Sequence, residues 1–378
     1  MVAYGMSYIA LTWMVLQWHA GVTSVAILMF CFWLPAVFLS PIAGVLVDRT
    51  CRRRLFIFTS WSRGVLLLSL GIIEWYWPSL WAIYIISILE GIVSSFVLPT
   101  VTTLIREIVT DDNLLNANTT IDMIYEIGNV VGMGIAGFVI ALLTNAGSLI
   151  ADGIIFFLAT FFAYGIRLLP HDGDKIPTPK QTVLADMRVG FNYIFKRTEI
   201  KVAYTLELIA LVTYMIIPVL TAPFVTRYLF ATVSQFGGIE AALSVGVVLG
   251  NFVAPIFVRR FGLFRVLFAL NIILAASFVL FANNRDLIGA DAINFFIGVG
   301  FAMWPLVMTK AQQLTDIKVQ GRVQSSFTAL SGLIMSTMYA FLFMGGKDVS
   351  IVTLYYVQVG MVGVSMLLLI CYRRKLRL

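Results

Sequence analysis

Residues 44 to 54 read GVLVDRTCRRR. An apolar run precedes this stretch and another follows it, yet Asp48, Arg49, Arg52, Arg53 and Arg54 crowd into it. A chain with so little charge elsewhere has concentrated it between two hydrophobic segments and set an acid ahead of the bases. Two readings compete. The cluster either anchors a loop on the cytoplasmic side of a membrane or forms a moving contact.

The composition supplies the membrane. Of 378 residues, 60% are hydrophobic and 12% charged, and the mean hydropathy is +0.94. A soluble domain carries about a quarter charged residues, so an ordinary water-soluble fold is excluded. Cys31, Cys51 and Cys371 are odd in number and scattered, which gives neither a disulfide framework nor a metal site. His19 and His171 are isolated and add no metal or haem spacing.

Apolar segments fall at about 1–18, 23–47, 55–75, 79–104, 117–143, 148–169, 202–222, 236–258, 264–283, 287–312, 323–345 and 350–372. Each approaches the roughly 20 residues that a span requires. The expected fold is therefore all-α, with twelve transmembrane helices. The long polar interval 170–200 divides them into an N-terminal half, 1–169, and a C-terminal half, 201–378. Within it, Thr182 to Arg197 has the pattern of a short amphipathic helix at the membrane surface. PIFVRRFGLFR, 255–265, echoes GVLVDRTCRRR at an offset of 211 residues and follows the second span of its half. That echo supports two pseudo-symmetric six-helix halves.

Arginine and lysine orient the chain. Arg49, Arg52, Arg53, Arg54, Arg106, the bases of 167–201, Arg259, Arg260, Arg265, Lys318, Arg322 and the tail Arg373, Arg374, Lys375 and Arg377 all fall on one side. The opposite loops offer Arg227, Arg285 and Lys347. The C-terminus and the central loop are thus expected in the cytoplasm. The net charge of +7 is topological and does not signal nucleic-acid binding.

The twelve segments, the central loop and the 44–54 stretch resemble the major facilitator superfamily. Its loop signature matches Gly44, Asp48, Arg49, Arg52 and Arg53, while Cys51 stands where glycine is usual. IREIVTDDNLLNANT (105–119), GNVVGMGIAGF (128–138) and QGRVQSS (320–326) resemble the branch of bacterial macrolide-efflux proteins and the enterobactin exporter. The resemblance implies that Asp48 ties the loop to neighbouring helix ends when the cytoplasmic side closes. Independently of any family, a carboxylate facing helix N–H dipoles or an arginine makes charge-assisted hydrogen bonds that can break and re-form. A simple anchor needs only the arginines, so a gating latch is the favoured reading of the stretch.

Gly128, Gly132, Gly134 and Gly137 have the small-residue spacing that lets helices approach closely. The antiporter motif of the family usually carries proline after the second glycine, and this chain has Met133 and Ala136 instead. Helix packing is favoured over a direct antiport role. Ser87 likewise stands where family antiporters often place arginine.

Ionisable groups in spans cost roughly 2.5–3.5 kcal/mol each on insertion scales, so each is a candidate for proton or substrate handling. Glu90 lies within the fourth segment. Asp122 and Glu126, four apart, share a helix face, and like charges there raise the cost of ionising both. Alternatively, Asp122 lies among the headgroups and Glu126 alone is buried. Glu207 is the acid of the seventh segment, either functional or at a helix end. Arg63 is the buried base, favoured as partner to an acid. Trp304-Pro305, Pro218 and Pro223 mark expected helix irregularities.

These features predict a proton-coupled secondary transporter, without metal or other cofactor, that takes a small amphiphilic substrate. The expected setting is the bacterial inner membrane, with the protein a monomer. Export of a drug or siderophore is favoured over uptake of a siderophore or nutrient. A receptor or lipid-modifying enzyme is disfavoured, since no HExxH, GxSxG or P-loop occurs.

No base precedes Arg49, so the first span is expected to be incomplete at its start. Upstream in-frame DNA is predicted to encode a basic segment and the rest of helix 1, on the order of 15–25 residues. A ribosome-binding site directly before Met1, with stop codons upstream, would defeat this.

Overall fold

A chain this apolar must satisfy its backbone N–H and C=O groups internally, and helices do so within each segment. The computed structural model describes residues 1–18, 21–109, 114–166, 183–316, 319–345 and 349–373. These residues form thirteen helices: α1 (Val2–Trp18), α2 (Val22–Arg49), α3 (Arg52–Tyr76), α4 (Leu80–Ile108), α5 (Leu114–Ala163), α6 (Val183–Lys196), α7 (Thr198–Tyr228), α8 (Val233–Phe261), α9 (Leu263–Asn283), α10 (Leu287–Gly300), α11 (Met303–Leu314), α12 (Gln320–Gly345) and α13 (Ile351–Tyr372). Residues 167–182, including the first part of the expected central loop, lie outside the described residues, as do His19, Lys318, Lys347 and the tail beyond Arg373.

Two compact units result, one of Met1–His19 and Ile27–Gln181, the other of Ala20–Ala26 and Thr182–Leu378. Ten helical stretches of the described residues are long and apolar enough to cross a membrane. The difference from twelve apolar segments has two sources. Helix α1 has 17 residues, just under the length of a span. Segment 117–143 and residues 148–163 of the next segment fall within the single 50-residue α5.

At 1.5 Å per residue a straight α5 would be about 75 Å long, more than twice a hydrocarbon core of roughly 30 Å. It is not straight. Thr144 adopts φ 67, ψ 176 and divides it into two arms. The first arm lies along α1, where Gly5 meets Asn129 and Met133, and just past the break Asn145 Nδ2 donates to Gln17 Oε1 at 2.6 Å. The second lies along α3, where Gly71 meets Ala146 and Ile150, and Gly64 meets Gly153 and Phe157. A β-branched residue in a region that favours glycine is costly, and packing on both sides holds it there.

Proline acts differently in two places. Between α10 and α11 the helix breaks at Phe301-Ala302, just ahead of Pro305. Pro305 has no N–H to give the Phe301 carbonyl. Trp304 N donates to it instead, at 2.9 Å, in the tighter i to i−3 pattern. Helix α7, by contrast, runs unbroken through Pro218 and Pro223, so the irregularities expected there do not interrupt it. Its neighbours overrule the local preference. Most of α7 is buried, from Ile200 to Val225.

The sequence 183–196 is helical. This α6 packs against α12 and α7. A Cβ at Gly190 would lie 2.3 Å from the Arg322 carbonyl oxygen.

Lipid offers no hydrophobic drive between helices, so close backbone approach takes its place. In the second unit a Cβ on Gly246 would stand 2.0 Å from the Phe295 carbonyl oxygen, and one on Gly298 2.0 Å from that of Leu243. The two glycines thus let α8 and α10 meet backbone to backbone. Other faces of these two helices carry bulky apolar groups outward, with Ile256 of α8 67% and Phe296 of α10 51% exposed. Gly246→Ala should therefore destabilise the purified protein by about 1–3 kcal/mol, as overpacking does. Gly363→Ala, where a Cβ meets nothing within 4 Å, should leave thermal melting in detergent unchanged. Equal melting of both variants would remove the seam from the energetics.

Candidate functional site: charges at the helix ends and within the bundle

The 44–54 stretch turns one helix into the next. Helix α2 closes at Arg49, and Thr50 Oγ1 caps its last turn by donating to the Leu46 carbonyl at 2.8 Å. Cys51, with extended backbone and no side-chain cap, precedes α3. Arg52 Nη1 pairs with Glu107 Oε1 at 3.2 Å near the end of α4, and Arg53 Nη2 donates to the Tyr164 carbonyl beyond α5. These arginines thus join the start of α3 to the ends of two other helices. The pair to Glu107 is about a quarter exposed on both sides and is worth at most about 1 kcal/mol. Such a contact can be remade readily. Gly44, Asp48 and Arg49 belong to the last turns of α2; their side chains lie outside the described residues. Asp122 and Glu126 lie on the first arm of α5, and their side chains too are outside the description.

Gly128 and Gly132 form the contact of α5 with α1. A Cβ on Gly132 would be 2.1 Å from the Val2 carbonyl oxygen, and one on Gly128 2.4 Å from Met1 Cβ. Gly137 is buried and Gly134 half-buried.

Deep in the same unit, Arg63 of α3 and Glu90 of α4 meet, with Arg63 Nε donating to Glu90 Oε2 at 2.9 Å. Both side chains are 6% exposed. Around the guanidinium stand the Tyr4 ring of α1, 4.8 Å from Cζ, and the Phe156 ring of α5, 5.4 Å away. The cation therefore has one carboxylate and two aromatic faces. Glu90 Oε1 has no hydrogen-bond partner. Ser87, one turn earlier, is satisfied by the Ile83 carbonyl at 2.7 Å.

Two buried acids add to those singled out in the sequence. Asp152 of α5 is fully buried, with neither carboxyl oxygen bonded. Its helix face is that of Phe156, and it lies within electrostatic reach of Glu90. In the second unit, Glu207 of α7 and Glu240 of α8 are buried, each with one oxygen unbonded. Tyr355 of α13 lies close enough to Glu240 to feel its charge. Asp152 and Glu240 stand four residues into their apolar segments and pass for helix-end residues. The signal was available, since Leu149 and Ile155 flank Asp152 one turn away on each side, and Phe236 and Leu243 flank Glu240.

An apolar groove of about 560 Å³ runs along α8, α9 and α10 past Leu249, Phe257 and Ile273, with Arg265 as its charged lining residue. It touches none of the buried acids. Among the described residues no cluster of His, Cys, Asp and Glu could hold a metal ion.

Apolar helices, close-packed through glycine and enclosing buried ionisable groups, define a multi-pass membrane protein. The chain belongs to the Major Facilitator Superfamily, whose pattern matches residues 1–338. Over 188 residues it is 24% identical to the "Uncharacterized MFS-type transporter YfiS" of Bacillus subtilis (strain 168), covering 49% of this chain and 43% of that protein. The chain thus aligns with less than half the length of that relative. Among solved structures it is similar to a mutant of the nucleoside transporter NupG, with TM-score 0.78 and 12% identity over 98% of this chain and 96% of the other. It is also similar to a bacterial homologue of the iron transporter ferroportin in an inward-facing state, with TM-score 0.71 and 15% identity over the same shares. At such identities these likenesses establish the fold.

Removing one member of a buried ion pair costs about 3–5 kcal/mol, because the other is left uncompensated. Arg63→Met alone should therefore lower the melting temperature sharply. The double variant Arg63→Met with Glu90→Met should recover much of the loss. A double variant as unstable as the sum of the singles would show that the pair is not coupled.

Proposed function

We propose that the protein is a proton-coupled secondary transporter working by alternating access, and that it exports a small amphiphilic molecule of drug or siderophore type. The observation that carries this reading is the Arg63–Glu90 pair sealed among apolar helices. Such charges are expensive in hydrocarbon and mark ion or substrate pathways. Family membership supplies the class of activity.

The arrangement is twelve spans in two six-helix halves, 1–169 and 201–378, around a central cytoplasmic loop, 170–200. The two arms of α5 would supply spans five and six. α10 with α11 would supply one span broken at Phe301-Ala302, and α1 a span whose described part has 17 residues. The basic loops set the C-terminus in the cytoplasm of a bacterial cell whose inner membrane houses the protein as a monomer. The motifs at 105–119, 128–138 and 320–326 resemble the macrolide-efflux and enterobactin-exporter branch and support that assignment.

In this cycle Glu90 or Glu126 alternately binds a proton and yields to substrate in the cavity, with Asp122 and Glu207 as further acids on the path. Asp48, Arg49, Arg52 and Arg53 form the inner gate. The pairing of Arg52 with Glu107 and the bond from Arg53 to Tyr164 support the gate, because they already link α3 to two other helix ends. Among the described residues buried acids outnumber buried bases, which favours a cationic substrate.

The test is flux of cationic amphiphilic dyes in proteoliposomes under an imposed pH gradient. Wild type should move dye outward in exchange for protons, and Asp48→Asn should lower the rate roughly tenfold, equal to about 1.4 kcal/mol in the barrier. Glu90→Gln or Glu126→Gln should abolish gradient-driven flux while dye binding persists. Flux indifferent to the gradient would sink proton coupling, net inward flux would assign uptake, and an unaffected Asp48→Asn would reduce the loop to an anchor.

A further inference from the structure

Glu90 does not face Arg63 alone. Asp152 of α5 is fully buried, and neither of its carboxyl oxygens has a hydrogen-bond partner. Phe156, one turn further along the same face, lays its ring 5.4 Å from the Arg63 guanidinium. The backbone there is pressed against α3, with Gly153 and Gly64 in mutual contact. Asp152 is thus held against the helix that carries Arg63 and within electrostatic reach of Glu90. An unpaired carboxylate in this place is more than an ornament of packing. A helix–helix contact needs no acid, and Gly153 and Gly64 already supply the close approach.

Charge balance decides what the group does. The ionisable groups facing the cluster are Arg63 from α3, Glu90 from α4, Asp152 from α5 and the Tyr4 phenol from α1, with the Met1 amino group in reach of Arg63. Two carboxylates thus compete for one guanidinium. Arg63 is satisfied by Glu90 at 2.9 Å, which leaves the second acid without a counter-ion in a site closed to water. An isolated ion there is prohibitive, whereas one proton on the second acid makes the cluster neutral.

We propose that Asp152, with the Arg63–Glu90 pair, forms a proton-binding site of the N-terminal unit. The site works by exchange of partners. With the proton on Asp152, Arg63 stays with Glu90. If the proton moves to Glu90, the guanidinium turns to Asp152 and the cluster stays neutral. Each state pairs α3 with a different helix, α4 in one and the second arm of α5 in the other. Proton occupancy thereby biases how the three helices pack. This rests on the proton-coupled reading above, and it shifts the coupling group from any single acid to a shared site.

The proton itself is the probe. Infrared difference spectra of the full-length protein in lipid, recorded as pH is varied, should show the carbonyl stretch of a buried carboxylic acid. That signal should vanish in Asp152→Asn. In Glu90→Gln, whose side chain keeps its size, Arg63 is released to Asp152, and the signal should again be lost because Asp152 ionises against it. An acid with no access to Arg63 would keep its proton in that variant, because losing the Glu90 charge gives it no new partner. Dye flux under a pH gradient is measured on the same samples. An acid signal unchanged in both variants overturns the site even where wild type transports with the gradient. The expected acid signals without any gradient-driven flux leave the site standing and overturn the coupled-transport reading instead. If Asp152→Asn fails to fold, Glu90→Gln alone decides.

Discussion

Everything in this protein follows from one constraint: in hydrocarbon no backbone amide can be left without a hydrogen bond. The constraint makes each segment helical before any helix meets another. It also removes the ordinary reason for helices to associate, since lipid is as apolar as a leucine side chain. What remains is close fit. Gly246 and Gly298 bring α8 and α10 together, Gly5, Gly128 and Gly132 join α1 to α5, and Gly91 of α4 would put a Cβ 2.1 Å from the Phe32 carbonyl oxygen of α2. Where a side chain does carry a polar atom, it usually bonds the carbonyl one turn back, as Ser87, Ser95 and Ser331 do.

Against that background a buried charge stands out more than it would in water. Arg63 and Glu90 cannot be there for stability alone, because well-packed apolar residues would serve as well or better. The same holds for Glu207 and Glu240 in the second unit, each with an unbonded oxygen. Ionisable groups inside spans cost stability, and in membrane proteins they commonly line ion or substrate pathways, which is the role proposed for them above.

The helix ends use the opposite logic. There water is available and ion pairs are weak, so the contacts of Arg52 with Glu107 and Arg53 with Tyr164 can open without a large penalty. Strong pairing inside and weak pairing at the rim suit a molecule whose helices must shift as bodies while their internal bonds persist.

The sequence by itself determined the class of fold, because apolar length and the absence of water-compatible charge leave helices in a bilayer as the solution. It also located Arg63, Glu90 and Glu207, since an ionisable residue inside a long apolar run is visible in one dimension. Several things were decided only in three. The interruption at 144–147 showed in the sequence as the gap between two apolar segments; that the arms on either side of Thr144 lie against α1 and α3 did not. Pro218 and Pro223 look like breaks and are carried through, because α7 is buried along most of its length. Pro305 does break its helix, where Trp304 N–H can take over the Phe301 carbonyl. Asp152 and Glu240 sit near the starts of their apolar runs and read as helix ends. Which acid shares Arg63 depends on which helices touch α3, and pairing between helices is a property of the packed bundle that no single segment encodes.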